Sequence, residues 1–287
     1  MPVSVDVASE WSLGHARVDS RTLVVGVSQS GETADTIGAL RLARARGART
    51  VAVTNAPASQ MAREASSVLV TKAGIEHSVA ATKTFTAQVA LLSLLALRLA
   101  TQRHAISATV RDAVLSELSG VAEAVEAQIG QPPAVEAAAA ILAMSRFAMF
   151  VGRDAGFPAA LEAALKLREV ARIPSEVYPA GEMKHGPIAL IREGTPVVAL
   201  SLSGRTKVKM GSSIEELHAR GARIIMVSDA EDDDARLAEV VLRVPSTTSF
   251  SPIVTAVPLQ LLALRTAEML GRNVDRPPNL AKTVTVE

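Results

Sequence analysis

The stretch Ser28-Gln29-Ser30-Gly31-Glu32-Thr33 determines the predicted fold of this chain. It follows the apolar run 23–27, which is typical of a buried parallel strand, and precedes residues 34–46, whose pattern indicates a helix. A strand, a hydroxyl-rich loop and a helix place backbone N–H groups and three hydroxyls at the positive end of the helix, which favours an anion. Gly31 lets the backbone approach a ligand closely. From this stretch alone, the alternative is that Ser and Thr only cap the helix.

Composition predicts a soluble protein of the cytoplasm that binds neither nucleic acid nor membrane. The chain has 287 residues, of which 48% are hydrophobic, and its formal net charge is only +1. A nearly balanced charge argues against nucleic acid as the main partner. No cysteine is present, which excludes disulfides and thiolate catalysis. The start has no signal-peptide pattern, and the longest apolar run, 89–97, is too short to span a bilayer.

Strands and helices alternate in both halves of the chain, which indicates an α/β fold with parallel sheets flanked by helices in a three-layer, flavodoxin-like arrangement. The Gly-Gln-Pro-Pro segment at 130–133 is the clearest break, and we place a domain boundary there, giving domains 1–130 and 134–287. Alternating valines predict one more short strand over 3–7. The predicted strands are 23–27, 50–54 and 68–70, then 147–151, 174–178, 196–200, 223–227 and 240–244; the main predicted helices are 34–46, 82–99, 106–128, 158–171, 207–220 and 251–270.

The two halves also share an internal repeat. Residues 201–206 read Ser-Leu-Ser-Gly-Arg-Thr and match the loop 28–33 at Ser, Ser, Gly and Thr. A strand and a helix precede the second loop, whereas only 27 residues precede Ser28. We therefore expect two tandem copies of one domain, the first lacking its opening strand and helix. The second loop is a second anion site or, more in keeping with its altered sequence, a relic of one.

Five motifs in order resemble the sugar isomerase (SIS) superfamily. Within it the chain is similar to the isomerase half of glutamine–fructose-6-phosphate aminotransferases and to glucosamine-6-phosphate deaminases, without a glutaminase domain. The motif at 28–36 is the signature itself. The segment His77-Ser78 is more polar than expected for the aminotransferases and favours the deaminases, whereas the motif Ala-Gly-Glu-Met-Lys-His at 180–185 is more similar to the aminotransferases. The motifs are 28–36, 73–88, 161–169, 181–190 and 279–287.

The resemblance implies a role for each matching residue. Ser28, Gln29, Ser30 and Thr33 would hold the sugar phosphate. Glu162, Lys166 and Glu169 fall on one helix face, where an ordinary row of surface ion pairs is the alternative; by resemblance Glu169 is the base, Lys166 is catalytic and Glu162 orients the substrate. His185 would open the sugar ring from a neighbouring subunit, so a homodimer is implied. Lys282, beside Ala281 in the tail 273–287, would form a Schiff base with the open-chain ketose or contact it closely.

The expected activity is therefore an aldose–ketose isomerisation coupled to amination or deamination at C2 of a hexose 6-phosphate. The deaminase direction, from glucosamine 6-phosphate to fructose 6-phosphate, is favoured because no glutaminase domain is seen. The alternatives are the isomerase part of an aminotransferase that receives ammonia from elsewhere, and a non-catalytic sugar-phosphate-binding module. We expect neither a cofactor nor a metal, since the five histidines are scattered without spaced partners.

Overall fold

The computed structural model of the chain describes residues 1–14, 18–130, 132–231 and 233–283. The chain divides into two units, Met1–Leu95 together with Asn279–Glu287, and Ala96–Pro278. This division differs from the predicted boundary at residues 130–134. The reason lies in helix α5 (Ala108–Ile129), which packs against helix α9 (Ser251–Met269) of the second unit. Glu117 of α5 accepts hydrogen bonds from the backbone N–H groups of Thr248 and Ser249, at 2.5 and 3.1 Å.

The first unit contains a parallel sheet of three strands in the order β1-β2-β3. Its core is formed by Ile37, Leu40, Ala52 and Met61, which come from a helix, a strand and a further short helix. The elements of this unit are α1 (Ala8–Leu13), β1 (Leu23–Ser28), α2 (Ala34–Ala45), β2 (Arg49–Thr54), α3 (Gln60–Glu64) and β3 (Ser67–Val70).

The predicted strand over residues 3–7 is wrong. No strand occurs in that segment, and Val3, Val5 and Val7 are 76%, 94% and 62% exposed. An alternating pattern stabilises a strand only where a neighbouring strand accepts its hydrogen bonds and one face is covered. Neither condition is met here.

Helix α4 (Lys83–Gln102) is apolar along most of its length, yet Thr84 is its only buried residue. By length and composition it is the single helix in the described part of the chain that could cross a membrane. A partly exposed apolar helix is equally typical of a protein–protein interface.

The second unit contains a parallel sheet of five strands in the order β5-β4-β6-β7-β8. Strands β4 and β6 are buried along their whole length, as expected for central strands of a sheet covered on both faces. This confirms the predicted class of tandem parallel α/β domains. Besides α5 and α9, the elements are α6 (Pro132–Ala143), β4 (Ala148–Gly152), α7 (Gly156–Lys166), β5 (Ser175–Pro179), β6 (Pro196–Ser201), α8 (Lys207–His218), β7 (Arg223–Ser228) and β8 (Val240–Arg243).

The repeated loop aligns β1-β2-β3 of the first unit with β6-β7-β8 of the second. On β6, the edge that does not face β7 is paired with β4, in a register that joins Met149 to Val197 and Gly152 to Leu200. Among the described residues of the first unit, β1 has a partner only on its β2 edge. Counterparts of β4 and β5 are therefore missing from the described part of that sheet, in agreement with the repeat.

Candidate functional site

The loop between β1 and α2 turns its hydroxyl groups toward one another. The hydroxyls of Ser28 and Thr33 lie 2.8 Å apart, and the N–H of Gly31 donates to Ser28 Oγ at 3.1 Å. The N–H of Glu32 donates to Ser30 Oγ at 3.2 Å. Thr33 is the N-cap residue of α2, but its side chain makes no capping hydrogen bond. Instead of capping the helix, the Thr33 hydroxyl bonds to Ser28, and the hydroxyls of Ser28 and Ser30 accept hydrogen bonds from the loop backbone.

The neighbouring segment fixes the loop from the other side. The carbonyl of Gln29 accepts hydrogen bonds from the N–H of Asn55 at 3.1 Å and from Thr54 Oγ1 at 3.3 Å. The carboxylate of Glu32 accepts the N–H of Gln60 at 2.8 Å, at the start of α3. These bonds hold the loop in one conformation.

Gly31 is the residue on which this conformation depends. Its φ is +67°, and a Cβ at this position would lie 2.6 Å from Ser59 Cβ and 2.9 Å from Thr54 Oγ1.

We expect Gly31→Ala to lower the free energy of unfolding by roughly 2–5 kcal/mol, the sum of left-handed strain and overpacking. Urea denaturation measures the loss. Gly74→Ala is the matched control: its φ is +72°, but the nearest atom is 3.9 Å from the new Cβ, so only the strain of about 1–2 kcal/mol remains. Equal losses in both variants would show that the close approach is unimportant.

A second polar cluster of the first unit surrounds Glu76. Its carboxylate accepts hydrogen bonds from the backbone and hydroxyl of Thr84, at 3.0 and 2.6 Å, and of Thr82, at 3.2 and 3.3 Å. Burial opposes the charge, but the bonds from Thr84 and Thr82 and the charge of Lys282 outweigh it, and the pKa of Glu76 is lowered from 4.5. The contact of Thr84 with Glu76 has one signal in the sequence, a Thr-x-Thr pair at a helix start six residues after the glutamate.

Lys282 belongs to the first unit through its contact with this segment. Its ammonium group donates to the carbonyl of Ser78, and its charge acts on Glu76. The side chain is half-buried, whereas the preceding Ala281 is exposed. The structure thus ties the side chain of Lys282 to the backbone of Ser78.

In the second unit, α7 and the turn after it bring Glu162, Lys166 and Glu169 together. Lys166 Nζ lies 2.5 Å from Glu169 Oε2 and 3.6 Å from Glu162 Oε1. The lysine is 4% exposed, and the side chains of the two glutamates are 12% and 21% exposed. A surface row of ion pairs, the alternative to a functional cluster, would leave such groups in water. The structure therefore brings together three of the predicted residues in a largely buried cluster.

The helix that carries these residues changes its winding within the cluster. The predicted helix 158–171 is α-helical only to Lys166, and Leu167–Ala171 form a π-helical turn ended by Arg172 in the left-handed conformation. Arg168 donates to the carbonyl of Ser175 at 3.1 Å, which ties the turn to β5. Isolated π turns occur frequently at functional sites. Here the turn carries Glu169, so it sets the contact of that carboxylate with Lys166.

Burial raises the pKa of Glu162 from 4.5 to about 7, although the charge of Lys166 acts in the opposite direction and that of Glu169 adds to the rise. Glu162 Oε1 has no hydrogen-bond partner among the described residues, and its 3.6 Å distance from Lys166 Nζ is that of an ion pair only. A carboxyl group with such a pKa exchanges its proton near neutral pH.

His185 ends a short 3₁₀ turn, Met183–His185, and its side chain is exposed. Its backbone N–H donates to the carbonyl of Glu182 at 3.0 Å. No hydrogen bond or ion pair of its imidazole to another described residue is present. The structure therefore does not join His185 to the cluster of Glu162, Lys166 and Glu169 through a direct bond.

In the second copy of the loop, at 201–206, charged side chains of the protein itself bind the loop residues. Asp229 Oδ1 accepts the backbone N–H and the hydroxyl of Ser203, at 2.8 and 2.9 Å. Lys207 Nζ donates to the carbonyl and hydroxyl of Ser201, at 3.0 and 2.9 Å. Arg205 pairs with the carboxylate of Asp154 at 2.8 Å. Because an internal carboxylate already accepts the donors of Ser203, this geometry favours a relic over a second anion site.

The described residues contain no group of three or more His, Asp or Glu side chains arranged to hold a metal ion.

Comparisons with known proteins identify a matching family and several relatives of this chain. The SIS domain model matches residues 1–98 and 141–269. Glutamine–fructose-6-phosphate aminotransferases (isomerizing) of Thermus thermophilus and Bradyrhizobium diazoefficiens are 45% and 43% identical over 289 and 290 residues, covering 100% of this chain and 48% of each relative. The chain thus spans about half the length of these curated relatives.

Two solved structures share the fold. The C-terminal domain of glucosamine-fructose-6-phosphate aminotransferase from Francisella tularensis is 33% identical, with a TM-score of 0.91, over 96% of this chain and 79% of that one. Glucosamine-6-phosphate deaminase from Thermotoga maritima is 26% identical, with a TM-score of 0.76, over 96% and 80%.

Proposed function

The chain belongs to the SIS domain family, and from this premise we propose that it interconverts fructose 6-phosphate and glucosamine 6-phosphate. The reaction is an aldose–ketose isomerisation coupled to exchange of an amino group at C2. The observation that carries the proposal is the buried cluster of Glu162, Lys166 and Glu169. Such a cluster supplies what the isomerisation requires, a carboxylate that moves a proton between two neighbouring carbons.

Two directions of the reaction are open to this chemistry. Identity of 33% to the aminotransferase domain from Francisella tularensis, against 26% to the Thermotoga maritima deaminase, supports the isomerase part of an aminotransferase that uses ammonia delivered from elsewhere. The deaminase direction is the second candidate, and the fold shared with the Thermotoga maritima deaminase supports it. The same residues serve both directions, since the steps are the reverse of one another.

The proposed role of Ser28, Gln29, Ser30 and Thr33 is to hold the sugar phosphate. Their hydroxyl and N–H groups lie at the N-terminus of α2, where the helix dipole favours an anion. A phosphate dianion would accept hydrogen bonds from the hydroxyls of Ser28 and Thr33, which bond to each other without it.

For the chemical steps we assign the base to Glu169. Fructose 6-phosphate and ammonia condense to an imine at C2 and release water. Glu169 then moves a proton from C1 to C2, and the proton of the C1 hydroxyl passes to the imine nitrogen, which yields the amino aldose. Lys166 orients this carboxylate at 2.5 Å, and Glu162 orients the substrate or the lysine.

We assign ring opening to His185 and activation of the carbonyl group to Lys282. His185 would donate and accept the ring-opening proton in a neighbouring subunit of a cytoplasmic homodimer, and its exposed side chain supports that role. Lys282 would form a Schiff base with the C2 carbonyl of the open-chain ketose, which releases the water of the condensation. Ammonia then displaces the lysine amine to give the same C2 imine, while Ala281 contacts the sugar. The anchoring of Lys282 on Ser78 supports an ordered tail.

The test has two arms with the purified chain. We expect ammonia to be released from glucosamine 6-phosphate, and glucosamine 6-phosphate to form from fructose 6-phosphate with ammonium chloride, both followed by mass spectrometry. The ratio of the two rates identifies the working direction. Binding of fructose 6-phosphate without turnover in either arm would contradict the proposal and indicate a non-catalytic sugar-phosphate-binding module.

A further inference from the structure

Three arginines line one open cavity of the second unit. Arg146, Arg172 and Arg272 surround a space of about 250 Å³ whose remaining wall includes Ser145, Ile173 and Leu270. None of the residues that line it carries a carboxylate.

The topology places this cavity at the amino ends of two paired strands. Arg146 lies two residues before β4 and Arg172 three residues before β5, and these strands run parallel from Ala148 and Ser175. Arg272 follows α9. The second loop copy at 201–206, by contrast, follows the carboxyl end of β6. The cavity is therefore at the opposite edge of the sheet from the position where parallel α/β sheets usually bind their ligands.

The positive charges in the cavity are not neutralised by the protein. The guanidinium groups of Arg146 and Arg172 make neither an ion pair nor a hydrogen bond with any described residue. Arg272 donates only to the backbone carbonyl of Ala171, which carries no charge. Burial and then the charge of Arg172 lower the pKa of Arg272. Arg146 and Arg172 are exposed to solvent, so these two guanidinium groups are accessible to an anion that enters the cavity.

We propose that this cavity binds the phosphate or diphosphate group of a small molecule. Guanidinium groups bind phosphate oxygens in pairs of parallel hydrogen bonds, and three of them suit a group with several such oxygens. Ser145 adds a hydroxyl to the wall, and Ile173 and Leu270 offer an apolar surface for the rest of the molecule. The site depends on residues of the second unit only and does not involve the loop at 28–33.

The cavity is connected to the helix that carries Glu169. Arg272 holds the carbonyl of Ala171, the last residue of the π turn, and Arg172 ends that turn with φ +51°. A ligand that draws both guanidinium groups toward itself acts directly on this end of the turn.

The experiment is a titration of the whole chain with inorganic pyrophosphate, followed by hydrogen–deuterium exchange and mass spectrometry. Peptides covering 143–147 and 167–174 report the cavity, and a peptide covering 28–33 reports the loop separately. We compare the wild type with Arg146→Gln/Arg172→Asn, since Asn tolerates the left-handed conformation of residue 172. Arg192→Gln is the matched control, because Arg192 is an exposed arginine of the same unit and does not line the cavity.

We expect pyrophosphate to protect the cavity peptides in the wild type and in Arg192→Gln with the same midpoint. In the double variant the midpoint should rise by roughly 100-fold, about tenfold for each guanidinium group that no longer binds a phosphate oxygen. Absence of protection in the wild type, or equal midpoints for the double variant and the wild type, would overturn the proposal. A chain that lacks the proposed isomerase activity would still show the cavity result, because the readout is independent of turnover.

Discussion

Glu169→Gln is expected to lower the rate of isomerisation by roughly 10²–10⁴-fold, the usual contribution of a positioned base. Glutamine has the shape of glutamate but cannot take up the proton from C1. The carboxylate it replaces lies 2.5 Å from Lys166 Nζ, so the variant removes one charge from the cluster and leaves the lysine paired with Glu162. The measurement is the turnover number for either direction of the reaction.

The fold should survive this substitution, which separates loss of chemistry from loss of structure. Residue 169 keeps its volume, and the ion pair between Lys166 and Glu162 at 3.6 Å stays in place. KM should change by only a few-fold, because the phosphate contacts proposed for the loop at 28–33 are untouched. A rate loss with unchanged KM is the signature of a group that acts in the transition state.

Glu215→Gln is the matched control for the charge change. Glu215 is an exposed carboxylate on α8 of the same unit, and its replacement should leave the turnover number within about twofold, as for most exposed substitutions. If Glu169→Gln retains more than a tenth of the wild-type rate, Glu169 is not the base. Glu162, with its pKa of about 7, then becomes the candidate.

The elements around the first loop were predictable because their signals are local. The apolar run 23–27 and the pattern of 34–46 correspond to β1 (Leu23–Ser28) and α2 (Ala34–Ala45) in the structure. The repeat at 201–206 likewise indicated the relation between β1 and β6 from sequence alone. Where a strand depends on a partner, as in the valines at 3–7, the same local signal fails.

The winding of the helix around Glu169 was not predictable. A step from the α to the π hydrogen-bond pattern changes the angular position of each following residue, but Leu167–Ala171 read as ordinary helix in hydrophobic pattern. The i, i+4, i+7 spacing therefore grouped the right three residues, while the structure alone shows that Lys166 is buried between the two carboxylates.

The cavity lined by three arginines could not be predicted from the sequence either. Arg146, Arg172 and Arg272 come from different parts of the chain and meet only through the pairing of β4 with β5 and the position of α9. Single arginines before strands are common and indicate nothing by themselves. Convergence of charges from distant segments becomes visible only in three dimensions, as does the occupation of the second loop by Asp229.

Glu162→Gln is expected to abolish a fall in stability that the wild type shows between pH 5 and pH 8. The pKa of Glu162 is raised from 4.5 to about 7, so below pH 4.5 the group is protonated in both the folded and the unfolded chain. Between these values the unfolded chain releases the proton while the folded chain keeps it. The unfolded state then binds fewer protons, and the free energy of unfolding falls as pH rises, until pH passes the folded-state value.

The size of this fall follows from the pKa difference and is on the order of 3 kcal/mol. Other carboxylates with resolved shifts change in the opposite direction: the pKa values of Asp19, Glu64, Glu76, Asp154 and Glu239 are all lowered. Their contributions are lost below the unfolded-state value, outside the window from pH 5 to pH 8. The window therefore isolates Glu162 among these groups.

The measurement is urea denaturation of the wild type, Glu162→Gln and the exposed control Glu215→Gln at pH 5, 6, 7 and 8. We expect parallel curves for the wild type and the control. The curve of Glu162→Gln should cross the window with a smaller slope, because a neutral amide has no proton to retain. The buried Lys166 stays paired with Glu169 at 2.5 Å in this variant, so its charge remains neutralised. Equal slopes in all three proteins would show that Glu162 is ionised in the folded chain throughout this range, and that burial does not control its charge.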